Sequence, residues 1–284
     1  MQDKKEDIKE NIVQETKYAL VTGAAGGLAA AAIKELRALD FTVFALDINK
    51  DVSKIYKDDT KIVPIICDVT GKESVASAFS EIDKLTDRLD LVANFAGIIM
   101  IGSLVERSTQ EFEKILNVNV VGMYRINKAA FPYLLKTKGR IINISSECGV
   151  FDAVPFNTFY TITKHAVEIY SDGLRREIGP LGVQVVKIRP GAFRTNMQGG
   201  VRGQFNQVVE KSEYFKDILT SMSGMMDKEI DSAKDPALFA KVFIKAATDK
   251  KPKLAYSINH SKSMWLISSL PDGLQDKVYK SYLK

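Results

Sequence analysis

Cysteine, histidine and tryptophan are scarce in this chain: two, two and one among 284 residues. Cys67 and Cys148 are too few and too far apart for a disulfide framework, which fits a reducing, cytoplasmic setting and reads both as small core residues. Neither His165 nor His260 has a second His or Cys at metal-ligand spacing, so a zinc site is not expected. Long apolar runs are missing too. The most weakly polar stretch, Leu91 to Val105, is broken by Asn94, Gly97, Gly102 and Ser103, short of the roughly 18 continuous apolar residues of a spanning helix. Residues 1–16 are densely charged without an apolar centre, which argues against a secretory signal and for a solvated, partly helical tail. An excess of one charge sign is also lacking. Forty Lys plus Arg against 35 Asp plus Glu leave +5, spread in alternating sign, and no nucleic-acid footprint is expected.

What is present is an ordinary globular composition, 45% hydrophobic and 26% charged, in a regular alternation. Seven short β-rich runs are read at Tyr18–Thr22, Thr42–Leu46, Lys61–Cys67, Leu89–Phe95, Arg140–Ser145, Gln184–Arg189 and Lys253–Ser257. Several are continuously apolar, as parallel strands covered on both faces must be. Helical windows lie near 27–40, 71–87, 109–137, 158–178 and 235–249. The pattern predicts an α/β fold, a doubly wound, Rossmann-type parallel seven-stranded sheet in the order 3-2-1-4-5-6, with the seventh strand at one edge. No linker composition interrupts residues 17–284, which are read as one domain. Residues 196–235 break the rhythm with Phe205, Tyr214, Phe215, Met222 and other apolar residues, and suggest a substrate lid or a helix pair with its own small core. Met264 to Ile267, with Trp265, is read as packed core, with contact to a membrane or a partner subunit as the alternative.

Two groupings carry chemistry. Thr22, Gly23, Ala25, Gly27 and Leu28 fall in a glycine-rich turn between a strand and an Ala-rich helix, where small residues and free helix N–H groups receive a pyrophosphate. Asp47, followed by Ile48 at the end of the second strand, is placed to accept both adenosine ribose hydroxyls. Its charge opposes a 2′-phosphate, and the turn has no Arg or Lys to offset it, so NAD(H) is expected over NADP(H). The plainer reading of Asp47 is a strand-end turn residue. Tyr160 and Lys164, four apart in a helical window, share a face. A phenol titrates near 10, and an adjacent ammonium with an oxidised nicotinamide would favour its phenolate. His165 points away around that helix and reads as a surface residue.

With these come Cys67-Asp68-Val69, Asn94-Phe95-Ala96-Gly97, the run Asn117 to Gly122, Gly139 to Ser146, and Arg189-Pro190-Gly191 followed by Thr195, all in one order. The sequence thereby resembles the short-chain dehydrogenase/reductase family from Tyr18 to about Leu283. It is most similar to the branch of retinol, hydroxysteroid and 3-hydroxybutyrate dehydrogenases. The resemblance implies Tyr160 as acid/base and Lys164 as the group that lowers its pKa and binds the nicotinamide ribose. It implies Ser146 as the hydroxyl that orients the substrate oxygen, and Asn119 as holder of a water linking Lys164 to solvent. It further implies Asp68 and Val69 beside the adenine, Asn94, Ala96 and Gly97 along the cofactor path, and Pro190, Gly191, Phe193 and Thr195 around the carboxamide.

Three positions depart from the family pattern: Ala29 stands for the last glycine of the turn, Phe95 for the usual second Asn, and Ser146 lies one residue further from Tyr160 than is common, which leaves Ser145 as an alternative. The implied reaction is metal-free, reversible hydride transfer between a nicotinamide and a secondary alcohol or ketone on a sizeable apolar substrate, a hydroxysteroid first. A short 3-hydroxybutyrate-like acid held by Arg194 or Arg202, or a catalytically idle NAD-sensing protein, are the alternatives. A homodimer or homotetramer through the helices near 109–137 and 158–178 is implied as well.

Overall fold

The computed structural model describes residues 15–283; the reading of residues 1–14 as a solvated tail lies outside them. Seven strands form one sheet: β1 Tyr18–Thr22, β2 Thr42–Asp47, β3 Ile62–Ile66, β4 Leu91–Asn94, β5 Arg140–Ile144, β6 Gln184–Pro190 and β7 Ala255–Ile258. Every pairing is parallel and the order is β3-β2-β1-β4-β5-β6-β7, so the chain winds outward from β1 first one way and then the other. Such an order opens a crevice beyond the carboxyl ends of β1 and β4.

Helices α1 Gly27–Ala38, α2 Val52–Ile55, α3 Lys72–Asp83, α4 Thr109–Leu116, α5 Met123–Thr137, α6 Thr158–Ile178, α7 Asn196–Lys211, α8 Lys216–Asp231, α9 Pro236–Thr248, α10 Lys262–Ser268 and α11 Asp272–Tyr282 follow in chain order. Two cores flank the sheet. On one face α1 and α9 bury Ile33, Leu36, Phe239 and Phe243 against the strands. On the other, α3 and α5 bury Phe79, Ile82, Ile126 and Leu134. The strands are covered on both sides, hence their unbroken apolar sequences.

Three elements differ from the sequence reading. The window 109–137 is no single helix, because a π-helical segment, Asn117–Gly122, joins α4 to α5. A Cβ on Gly122 would lie 2.6 Å from Val69 Cγ2, so this wider turn packs where ordinary side chains have no room. The 196–235 segment is a pair of helices that packs a small core of its own, Val201, Phe205, Val208 and Leu219 with Ile101. The apolar stretch around Trp265 is not packed core: α10 leaves Trp265 62% exposed while Met264 lines the main cavity.

Helix α6, which carries Tyr160 and Lys164, is fixed to β6 by buried charge. Glu168 receives Arg189 in a two-pronged pair at 2.9 and 2.7 Å and Lys187 at 2.9 Å. Removing one partner of such a cluster strands the others without water. The Glu168→Ala variant should therefore lose about 3 kcal/mol of unfolding free energy in urea titration; a loss within experimental error would mean that α6 is held by its apolar contacts alone.

Candidate active site

The glycine turn is built by close approach. Gly23 adopts φ +66°, and a Cβ there would sit 2.8 Å from the Ala96 backbone nitrogen, so β1 and β4 end nearer one another than any larger residue allows. Buried Thr22 ties the same two ends, its Oγ1 accepting the Ala96 N–H at 3.1 Å. The N-cap of α1, Gly26, offers no side chain and makes no side-chain cap to the first-turn N–H groups. Gly27 lies against Thr195, whose Cγ2 would be 3.1 Å from an added Cβ. Ala29, at the position of the family's last glycine, is 1% exposed within the helix packing.

Asp47 ends β2 and buttresses this turn. Its Oδ2 accepts the Ala25 N–H at 2.9 Å and its Oδ1 that of Asn49 at 2.8 Å. Ile48 beside it is exposed. Tyr56, which sequence reasoning missed, donates its hydroxyl to the Ala24 carbonyl at 2.7 Å, and burial, with the charge of Asp47, pushes that phenol up to about 12. The N–H groups of Ala24, Ala25 and Gly26 are spent on Leu46, Asp47 and Gly23, which fixes the turn's shape, and its glycines leave room beside the start of α1, so the residues present fit a dinucleotide pyrophosphate.

At the tip of β5 the catalytic candidates converge. Lys164 is buried, and its Nζ donates to the Ile144 carbonyl at 2.9 Å and stands 5.4 Å from the Tyr160 ring centre. Ser146 accepts the Cys148 N–H at 3.2 Å, its hydroxyl donates to the Pro190 carbonyl at 3.5 Å, and it lines the same cavity as Tyr160. Ser145 is turned away: its Oγ packs against Gly149, where a Cβ would come within 2.6 Å. Asn119, in the π-helical segment, clamps the Ile98 backbone with both amide ends, at 2.8 and 2.9 Å, and donates to Thr163 at 3.0 Å.

These electrostatics differ from the simple pairing expected between Tyr160 and Lys164. Burial, then the nearby thiol of Cys148, drives the Tyr160 phenol well above its ordinary range, against a smaller pull from the Ser146 hydroxyl. Burial likewise draws the Lys164 ammonium down to about 8. Desolvation outweighs the attraction between the two, because neither charged form is welcome in a low-dielectric pocket.

A cavity of about 490 Å³ joins these groups, in the size range of small-molecule sites. Gly23, Gly27, Leu28, Gly97, Ser146, Tyr160, Lys164, Pro190, Gly191, Phe193 and Thr195 all border it. Its far wall is apolar, with Ile101, Phe156, Phe205, Met222, Met226 and Met264. Phe95, the departure from the Asn pattern, lines the cavity and packs its ring 5.7 and 5.6 Å from Phe239 and Phe243. Nine predicted site residues, Thr22, Ala25, Asp47, Ile48, Asp68, Val69, Asn94, Ala96 and Asn119, are not among those that border it. Asn94 is buried and donates to Asn127 at 2.7 Å and Asn143 at 2.9 Å, an amide cluster beneath the sheet tip. Asp68 folds back on Thr70 at 2.8 and 2.7 Å, Val69 packs on the π-helical segment, and Ile48 faces outward. Glu147, 5% exposed on the cavity wall, was invisible to sequence reasoning because a loop glutamate reads as a solvated charge.

The glycine turn and the Tyr160–Lys164 pair meet at the carboxyl ends of the strands, on one cavity. The chain belongs to the short-chain dehydrogenase family, whose profile matches residues 17–205. It is 35% identical over 192 residues to mouse estradiol 17-beta-dehydrogenase 2, covering 64% of this chain and 50% of that enzyme, so the chain spans about half the relative's length. It is 29% identical over 281 residues to the NADPH-dependent 3-dehydrocapnine reductase of Ornithobacterium rhinotracheale, covering 94% and 98% of the two chains. The crystal structure of a short-chain dehydrogenase from Streptomyces avermitilis superposes with TM-score 0.73 at 25% identity, over 95% of this chain and 96% of that one.

The buried ammonium generates a prediction. Between pH 8 and the ordinary lysine value of 10.5 the folded protein binds fewer protons at Lys164 than the unfolded chain does. Stability at this site therefore rises with pH across that window. Wild-type Tm, followed by calorimetry, should climb relative to Lys164→Met from pH 8 to 10; parallel curves would place Lys164 at its ordinary pKa.

Proposed function

We propose that the protein interconverts a secondary alcohol and a ketone on a sizeable apolar substrate, with Tyr160 as the proton-transferring group. The observation that supports this reading is the cavity itself, lined by Ser146 and a half-buried Tyr160 phenol on one side and by Phe, Ile and Met side chains on the other. When bound, the cofactor supplies or accepts hydride at its nicotinamide. The chain's own residues do the rest. Ser146 orients the substrate oxygen, and the Tyr160 hydroxyl gives its proton to that oxygen as a ketone becomes an alcohol. A phenol kept protonated by burial is suited to that donation. Lys164, anchored on Ile144, supplies the positive charge that oxidation needs, since phenolate must then form beside it. Asn119 holds the segment beneath Lys164 that would carry a proton to solvent.

The cofactor would be held by Gly23, Gly27 and the open end of α1 at its phosphates, and by Pro190, Gly191, Phe193 and Thr195 near the ring. Asp47 supports NAD(H) over NADP(H): its carboxylate sits at the ribose end of the turn, where a 2′-phosphate would meet like charge. The dehydrocapnine reductase relative is NADPH-dependent by name, so this preference is a property to be tested on the present chain. Exposed Val121, Tyr124, Ile162 and Ile169 on the π-helical segment, α5 and α6 support self-association through that face. Helices α7 and α8 act as the lid. The estradiol dehydrogenase relative supports a steroid as one substrate arm, and the apolar far wall accommodates an alkyl chain equally.

The decisive experiment follows cofactor absorbance with purified protein against steroid, long-chain and short-chain ketones. An apolar ketone should support turnover, and Tyr160→Phe should lower kcat by about 10²- to 10⁴-fold. Turnover only with short hydroxy acids, or with none, overturns the reading. Replacing Asp47 with Ala should shrink the ratio of kcat/KM for NADH over NADPH toward one; an unchanged ratio would show that the ribose partner lies elsewhere.

A further inference from the structure

Helices α7 and α8 leave the sheet and return to it. The base of this excursion is tied backbone to backbone, the Arg194 N–H to the Lys234 carbonyl at 2.8 Å and the Lys234 N–H to the Ala192 carbonyl at 3.1 Å. The corner between the two helices, residues 212–215, is a helix length from that base, roughly 24 Å for the 16 residues of α7, and Tyr214 there is 69% exposed. Glu106, on the loop between β4 and α4, fastens this corner. One of its carboxylate oxygens accepts the N–H groups of Glu213 at 2.9 Å and Tyr214 at 2.8 Å, and the Ser212 hydroxyl donates to the carboxylate at 3.0 and 2.9 Å. The same hydroxyl accepts at 3.0 Å the N–H of Phe215, the N-cap residue of α8, whose own side chain makes no cap.

Amides that lead into a helix find no partner inside it, and negative charge beside them is favoured. Here both are supplied by a residue 106 to 108 positions earlier in the chain. The loop that carries Glu106 is itself fixed: Arg107 Nε donates to the Ile101 carbonyl at 3.1 Å, and the Gly102 N–H to the Phe156 carbonyl at 2.8 Å. From that start α8 presents Met222, Met226 and Ile230, spaced by four, to the substrate cavity. Its packing against Ile101 through Leu219 and Met222 is apolar, and such contacts, being non-directional, leave its position along its own axis open. We propose that Glu106 is a positioning residue: by capping α8 from across the chain it sets where Met222, Met226 and Ile230 stand, and thereby how long an apolar substrate the cavity accepts. This rests on the reaction proposed above and names what sets its substrate length. A residue that served stability alone would affect every substrate alike, whereas a displaced α8 alters the far wall and spares the polar end.

The test compares initial rates on dodecan-2-one and butan-2-one, with NADH and with NADPH. In Glu106→Leu, kcat/KM for dodecan-2-one should fall about 5- to 10-fold, the effect of losing one helix cap, through KM and not kcat. Butan-2-one and the cofactor should keep their KM. Glu106→Gln, whose amide oxygen can still accept the two N–H groups, should restore most of the loss. Equal losses on the two ketones, a ratio between them unchanged in Glu106→Leu, or a glutamine variant no better than the leucine one overturns the proposal. Should the leucine variant fail to fold, Ser212→Ala decides, because it removes only the hydroxyl between Glu106 and Phe215: a lowered ratio upholds the proposal and an unchanged one overturns it. Should neither ketone turn over in wild-type protein, the reaction reading fails, and thermal-shift titration with 1-dodecanol and 1-butanol tests the positioning by itself. A loss of affinity in Glu106→Leu confined to 1-dodecanol upholds it, and an unchanged preference overturns it.

Discussion

The hydrogen bond from Lys164 Nζ to the Ile144 carbonyl is the constraint on which the site depends. It joins the last residue of β5 to the first turns of α6, so the helix carrying Tyr160 is aimed by the sheet and not by a loop. Ser146 leaves the same strand two residues later, so it and Tyr160 line one cavity with both referenced to Ile144. Glu168, one helical turn beyond Lys164, locks the other side of α6 to β6 through Arg189 and Lys187. Burying an ammonium and a carboxylate in one helix is unfavourable for stability, and the gain is positional: the helix that carries Tyr160 is held to two strands of the sheet at once.

The fold was legible because its signals are redundant. Continuous Val, Ile and Leu runs give parallel strands, and a glycine turn after the first of them gives the winding. The site was partly legible. Residues that act through backbone shape, such as Gly23, Gly27 and Gly191, announce themselves by lacking a side chain. So do Tyr160 and Lys164, by their spacing. What stayed hidden depends on partners far away in sequence. Asn94 reads as a cofactor contact, yet its amide is spent on Asn127 and Asn143, and nothing local in Asn-Phe-Ala-Gly reveals that cluster. The π-helical break was hidden likewise, since its wide turn is stabilised by Asn119 reaching back to Ile98 and by Val69 filling the place of a side chain at Gly122.

Phe95 shows how one departure is absorbed. A second asparagine there would present an amide to the aromatic packing of Phe239 and Phe243, whereas the phenylalanine extends that packing to the cavity wall. The apolar lining thus begins at the sheet itself and continues into α7 and α8 through Ile101 and Phe205. The α7–α8 pair keeps its own small core, yet its Phe205 and Met222 side chains meet Phe95 around the same cavity.

The cavity wall is asymmetric. Among the described residues that line the cavity, the charged side chains are Glu147 and Lys164, both set beside the tip of β5, while the far wall is hydrocarbon. Within the polar end, desolvation sets the resting protonation of each group: the phenol of Tyr160 is kept neutral, and the ammonium of Lys164 is brought down to about 8. Burial thus drives the two proton affinities apart, because the charged form it disfavours is the deprotonated one for a phenol and the protonated one for an amine.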